Sequence, residues 1–185
     1  MSSKRHIQSG IVRDIIVGLL VMAAYFYVGW NYFPIQADGL ESAWDRLIYT
    51  ARWQILEVLL LIVMVMAVAN TRLLYVDKIG DPTKPIPGSH IITVHCRVLQ
   101  NTLEQIVIRV PSELILCTYL EPGSMKILPL LVILFVLARL IFWFGYIRDP
   151  YQRALGFAMT YMPTVLITIY CVFCLFNSGA TFSLS

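Results

Sequence analysis

The chain has 185 residues, 58% of them hydrophobic and 14% charged, with a mean hydropathy of +0.73. Soluble domains carry about a quarter charged residues, so this composition excludes a soluble globular enzyme, a disordered chain and a nucleic-acid binder. It predicts one helical bundle in a lipid bilayer, and the net charge of +3 is too small to imply a polyanionic partner.

About 20 apolar residues cross a bilayer core as a helix. No charge falls in the first such stretch, predicted helical over 15–37. Lys4, Arg5 and Arg13 precede it, as basic residues precede a secretion signal. The apolar run is too long for one, however, and the residues that follow (Trp30-Asn-Tyr-Phe-Pro34) are bulky where cleavage needs small ones, so a retained anchor is expected. Further helices are predicted over 51–75, 93–120, 127–147 and 154–176. Breaks fall at Asp81-Pro82 through Pro87-Gly88, at Glu121-Pro122-Gly123 and at Asp149-Pro150. The expected organisation is an N-terminal segment with an extra transmembrane helix and loop over 1–50, a four-helix domain over 51–176, and a flexible tail over 177–185.

Lys4, Arg5, Arg13, Arg72, Lys78, Lys84, Arg97, Arg148 and Arg153 fall on one side of these spans, against Arg46, Arg52 and Lys126 on the other. The positive-inside rule then places the N-terminus in the cytosol and the C-terminus in a lumen or outside, which requires an odd number of spans, here five. A membrane of the secretory pathway, such as the endoplasmic reticulum, is expected.

Of the four cysteines, Cys117, Cys171 and Cys174 lie inside apolar runs and read as small hydrophobes. Cys171 and Cys174 form a C-x-x-C, but a redox pair needs a polar, partly exposed thiolate. His6, His90 and His95 show no ligand spacing and read as loop residues, so no metal is expected.

Glu57, Glu104, Arg109, Glu113 and Arg139 are predicted at membrane depth, where each costs at least ~2.5 kcal/mol on insertion scales unless it faces the bundle interior or a wet cavity. They form two groups. On the lumenal half, Arg109 and Glu113 are spaced i, i+4 around Pro111, and with Glu57 they predict an interhelical polar clamp. On the cytosolic half, Arg97, Asn101 and Glu104 at i, i+4, i+7 share one helical stripe. Arg139, Phe142 and Tyr146 form a second stripe, and Arg72, Arg148 and Arg153 end near the same face. Two arrangements fit this excess of guanidinium: an anion site, or an Arg139–Glu104 tie with the other arginines reaching lipid phosphates.

Arg97-Val-Leu-Gln-Asn101-Thr-Leu-Glu104 resembles the R-x-x-x-N-x-x-E signature of the MAPEG superfamily, the membrane-associated proteins in eicosanoid and glutathione metabolism. Arg139-Leu-Ile-Phe-Trp-Phe-Gly145-Tyr146 is similar to the family's R-L-x-Y-x-x-G-Y segment, and Arg153 follows Tyr146 by the seven residues that separate a matching arginine in a catalytic member. The resemblance implies a four-helix unit assembled as a homotrimer, with glutathione bound between protomers near the cytosolic face. It implies that Arg97, Asn101, Glu104, Arg139 and Tyr146 contact glutathione, that Arg72 contributes from the adjacent protomer, and that Arg153 stabilises the thiolate as the catalytic residue. The second substrate would be a lipophilic small molecule from the bilayer. Phe142 stands where catalytic members often have Tyr or His, and Gln100 where some have Arg. The family's proline is displaced to Pro111. These departures point to a divergent branch with extra N-terminal sequence. Two functions follow: a glutathione-dependent transferase or peroxidase, or a non-catalytic adaptor or lipid-binding protein on the same fold.

Overall fold

A computed structural model describes residues 2–79 and 90–180 of the chain, and every described element is helical. In chain order they are α1 (Ser2–Tyr32), α2 (Ala43–Trp53), α3 (Ile55–Leu74), α4 (Val76–Ile79), α5 (His90–Tyr119), a 3-10 turn (Pro122–Ser124), α6 (Ile127–Arg148) and α7 (Ala154–Ser178). The predicted break at 81–88 lies outside the described residues, as do residues 181–185 of the predicted tail and the side chains of Lys4, Arg5, Lys78 and Lys84.

Among the described residues, four stretches are long and apolar enough to cross a membrane: Gln8–Tyr32, Ala43–Leu74, Pro122–Arg148 and Ala154–Ser178. The protein is thus a multi-pass integral membrane protein. α5, the remaining expected span, has 30 residues but carries Arg97, Glu104, Arg109 and Glu113. It packs along α3, α6 and α7, with Arg109 and Glu113 buried in the interior.

The second predicted helix begins earlier than the expected residue 51. Ser42 caps α2, its hydroxyl oxygen accepting the Asp45 N–H at 3.1 Å. Helical hydrogen bonding then runs almost unbroken through Gln54 into α3, where Glu57 and Val58 both donate to the Gln54 carbonyl. In the expected organisation Arg46 belongs to the loop before residue 51. Instead its buried guanidinium donates to the carbonyls of Cys117 (3.1 Å), Leu40 (3.3 Å) and Glu41 (2.8 Å). It thereby satisfies an orphan acceptor in the last turn of α5 and pins the preceding loop.

α6 is the central element, with Leu128, Leu134, Phe135 and Ala138 among its buried side chains. α7 approaches it through Gly156, where a Cβ would stand 2.5 Å from the Phe142 nitrogen and 2.6 Å from the Ala138 carbonyl oxygen. Small residues at such crossings let backbones meet where no hydrophobic force drives helices together. α1 lies on the outside of α6 and α7. Gly18 meets the Leu155 carbonyl, Tyr25 Oη donates to the Leu130 carbonyl at 2.9 Å, and Lys126 Nζ donates to the Trp30 carbonyl at 2.7 Å.

Candidate functional site

Glu57, Arg109 and Glu113 pack as a clamp. Arg109 Nε lies 3.1 Å from Glu57 Oε1, Arg109 also pairs with Glu113, and its guanidinium carbon sits 4.5 Å from the Phe135 ring centroid. Gln54 Nε2 donates to Glu113 Oε2 at 3.5 Å. All three charged side chains are almost fully enclosed, so α3, α5 and α6 are tied by a network that no solvent reaches.

The other group surrounds a cleft of about 1070 Å³. α5 supplies one wall through Arg97, Gln100, Asn101 and Glu104. α6 supplies Phe142 and Tyr146, and Arg153 closes the turn before α7. Helical spacing explains the α5 wall, since i, i+4 and i+7 fall on one face. Phe142 and Tyr146, one turn apart on α6, meet edge to face at 5.8 Å between centroids. The Arg153 guanidinium carbon stands 4.9 Å from the Tyr146 ring centroid, a cation–π contact that aims the charge along the cleft rim.

Arg139 is fully buried beneath this cleft. Its Nε and Nη2 donate to Thr102 Oγ1 at 3.0 and 2.7 Å, and Nη2 also donates to Asn101 Oδ1 at 2.9 Å. Its Cζ lies 4.0 Å from the Phe142 ring centroid, and Nη1 has no partner among the described residues. The Arg139–Glu104 tie is not made. Glu104 lies on the exposed side of α5 and accepts from Gln100 Nε2 at 2.8 Å, whereas Thr102 faces α6. A buried cation is therefore held by neutral oxygens alone, directly behind the cleft wall.

Five of the sequence-predicted residues, Arg97, Asn101, Glu104, Tyr146 and Arg153, line the cleft together, and Arg139 supports it from behind. Arg72, in the last turn of α3, is half-buried and stands outside the lining. Thr102 was missed because a mid-helix threonine carries no signal. Its hydroxyl proton goes to the Val98 carbonyl (2.7 Å), which leaves the oxygen lone pairs for Arg139. The histidines are helical rather than in loops: His6 lies within α1 and His90 opens α5. His95 Nδ1 lies 3.1 Å from Thr71 Oγ1 and links α5 to α3.

These features define the protein as a multi-pass helical membrane bundle with a charged cleft at one end, walled by an R-x-x-x-N-x-x-E helix. The family model for the MAPEG family matches residues 50–173, and the chain belongs to that family. Among curated proteins it is similar to transmembrane protein 79 of Mus musculus, 21% identical over 167 residues, covering 89% of this chain and 41% of that protein. The Bos taurus transmembrane protein 79 is 22% identical over 161 residues, covering 86% of this chain and 39% of that protein. The chain thus spans about two fifths of the length of these relatives. No solved structure matches it. The divergent branch indicated by the sequence is the one to which these relatives point.

Proposed function

We propose that the cleft binds glutathione at the cytosolic face of a homotrimer, and that the protein joins the glutathione thiol to a lipophilic electrophile drawn from the bilayer. One observation carries this reading: Arg97, Asn101, Glu104, Tyr146 and Arg153, from three successive parts of the chain, line a single cleft. Glutathione carries two carboxylates, an ammonium and a thiol. Two guanidiniums and one carboxylate among the five side chains complement that pattern, and Arg139 adds positive charge from behind.

In this reading Arg97 and Asn101 hold the peptide-like part of glutathione. Glu104 accepts from its amino group once released from Gln100. Arg153 holds negative charge at the sulfur. A thiol with an ordinary pKa near 8.5 is mostly protonated at neutral pH, and a guanidinium beside the sulfur favours the thiolate nucleophile. The thiol proton leaves to water and the sulfur adds to the β-carbon of an activated alkene such as a 2-alkenal: the carbon–sulfur bond forms as the C=C π bond breaks, and the resulting enolate takes a proton from water. Arg72 of a neighbouring protomer completes the carboxylate contacts. The apolar α3 face exposed at Ile55, Val58, Leu59 and Ile62 supports packing between protomers.

Glutathione calorimetry on the purified protein tests this. Saturable binding that is lost in Arg97→Ala and Glu104→Gln supports it; no heat at millimolar glutathione from a folded trimer sinks it. Phe142, which brings no hydroxyl to the cleft, favours the second reading, a lipid-binding or adaptor protein without catalysis.

A further inference from the structure

We infer that α1, which precedes the family-matched region, builds the wall against which the alkyl part of the lipophilic substrate packs, and that Ile11 and Ile15 set how much chain it accepts. The inference rests on the reading of the cleft as a conjugation site and deepens it. Residues 50–173 carry the family match, yet Ile11 and Ile15 of α1 line the same cleft as Arg97, Asn101 and Glu104. The cleft is two-faced. Its α5 wall is charged and amide-bearing, and its opposite wall is apolar, formed by Ile11 and Ile15 with Phe157, Ala158 and Met162 of α7. A ligand that fills both walls is amphipathic: a peptide-like polar part on α5 and a hydrocarbon part between α1 and α7.

α1 is held in register as a wall should be. Gly18, one turn beyond Ile15, packs against the Leu155 carbonyl at 3.3 Å and the Met159 side chain at 3.4 Å, distances measured to a Cβ built on the glycine. Further along, Tyr25 and Lys126 tie α1 to α6 and to the turn before it. The charges next to Ile11 and Ile15 answer each other, since Arg13 Nη2 pairs with Asp14 Oδ1 at 2.9 Å. Among its described residues, α1 therefore brings hydrocarbon and a self-compensated charge pair to this end of the bundle. Both α1 and α7 are long and apolar enough to cross a membrane, so a chain lying between them enters from lipid.

The test uses the full chain in phosphatidylcholine nanodiscs, with glutathione and 2-alkenals from hexenal to dodecenal. Ile15→Trp should lower kcat/KM for dodecenal about tenfold and leave hexenal within about twofold, because hydrocarbon pockets discriminate on that scale. Ile11→Ala and Ile15→Ala should shift the preference toward longer chains. Glutathione affinity should be unchanged in all three. Equal effects at every chain length, or none, would overturn the role of α1 while leaving glutathione binding intact. A second readout does not depend on turnover: photolabelling with a diazirine fatty acid. Label on the Ile11–Ile15 and Tyr161–Met162 peptides, competed by unlabelled fatty acid and reduced several-fold in Ile15→Trp, upholds the α1 wall even if conjugation fails and the glutathione reading falls. Label that is not competed on those peptides overturns it.

Discussion

Arg139 donates to Asn101 Oδ1 at 2.9 Å, which couples a cation in the protein interior to an amide on the cleft wall. That bond fixes the oxygen side of the Asn101 amide, a cleft-lining residue, from behind. A second donor from the same guanidinium goes to Thr102, one residue along α5. Only a planar fork serves two acceptors at fixed angles.

Arg139→Lys keeps the charge and loses the fork. An ammonium reaches Asn101 or Thr102 but does not hold both at their present angles. Glutathione affinity is expected to weaken by about tenfold, the scale of one charge-assisted hydrogen bond, while the thermal midpoint falls little. Calorimetry and a thermal-shift series on the same preparations separate the two effects. An unchanged affinity would remove Arg139 from the support of the site.

The Glu57–Arg109–Glu113 clamp predicts an asymmetry. Arg109→Met leaves Glu57 and Glu113 facing each other in the interior without a cation, and is expected to cost about 3–5 kcal/mol. Glu57→Gln leaves Arg109 still paired with Glu113 and is expected to cost clearly less. Denaturant unfolding in detergent orders the two variants, and the reverse order would mean that the pairs are not what holds α3 to α5.

Gly156 is expected to tolerate nothing larger. A Cβ there would meet the α6 backbone, which cannot rotate away as a side chain can. Gly156→Ala should cost about 2 kcal/mol or more by overpacking. Gly10→Ala, where nothing lies within 4 Å, should be neutral or slightly stabilising, as alanine is in a helix. The fraction recovered as a single species by size exclusion reads the contrast.

Arg153→Ala is expected to change the pH profile of conjugation more than glutathione binding. With the guanidinium present, a bound glutathione thiol is expected to ionise below its ordinary value near 8.5, which keeps the expected rate high at neutral pH. Without it, the neutral-pH rate should fall about tenfold or more and recover as pH rises through that value. A profile parallel to that of the unsubstituted protein would show that Arg153 does not act on the sulfur.

Arg46→Ala should loosen the end of the bundle where α2 meets the last turn of α5. Three carbonyl contacts are lost together, at Cys117, Leu40 and Glu41, for an expected cost of about 2–4 kcal/mol. Hydrogen exchange should rise first in the last turn of α5 and in residues 33–42.

Chain order and local chemistry already contain the helices, because each apolar run long enough to span a bilayer leaves its backbone no other way to pair. They also contain the stripe Arg97, Asn101, Glu104, since helical spacing alone aligns residues four and seven apart. Partner choice across helices is not in the local pattern. Nothing in the chain order says that Arg139 rests on Thr102 rather than on Glu104, or that Arg46 turns inward to cap carbonyls; each depends on which side of α5 or α2 faces a neighbour. The placement of Ile11 and Ile15 on the same cleft as residues some ninety positions later is of the same kind. An apolar helix is compatible with any lipid-facing position. Only close packing, of Gly18 on the Leu155 carbonyl and of Gly29 on the Leu130 side chain, selects the position it takes.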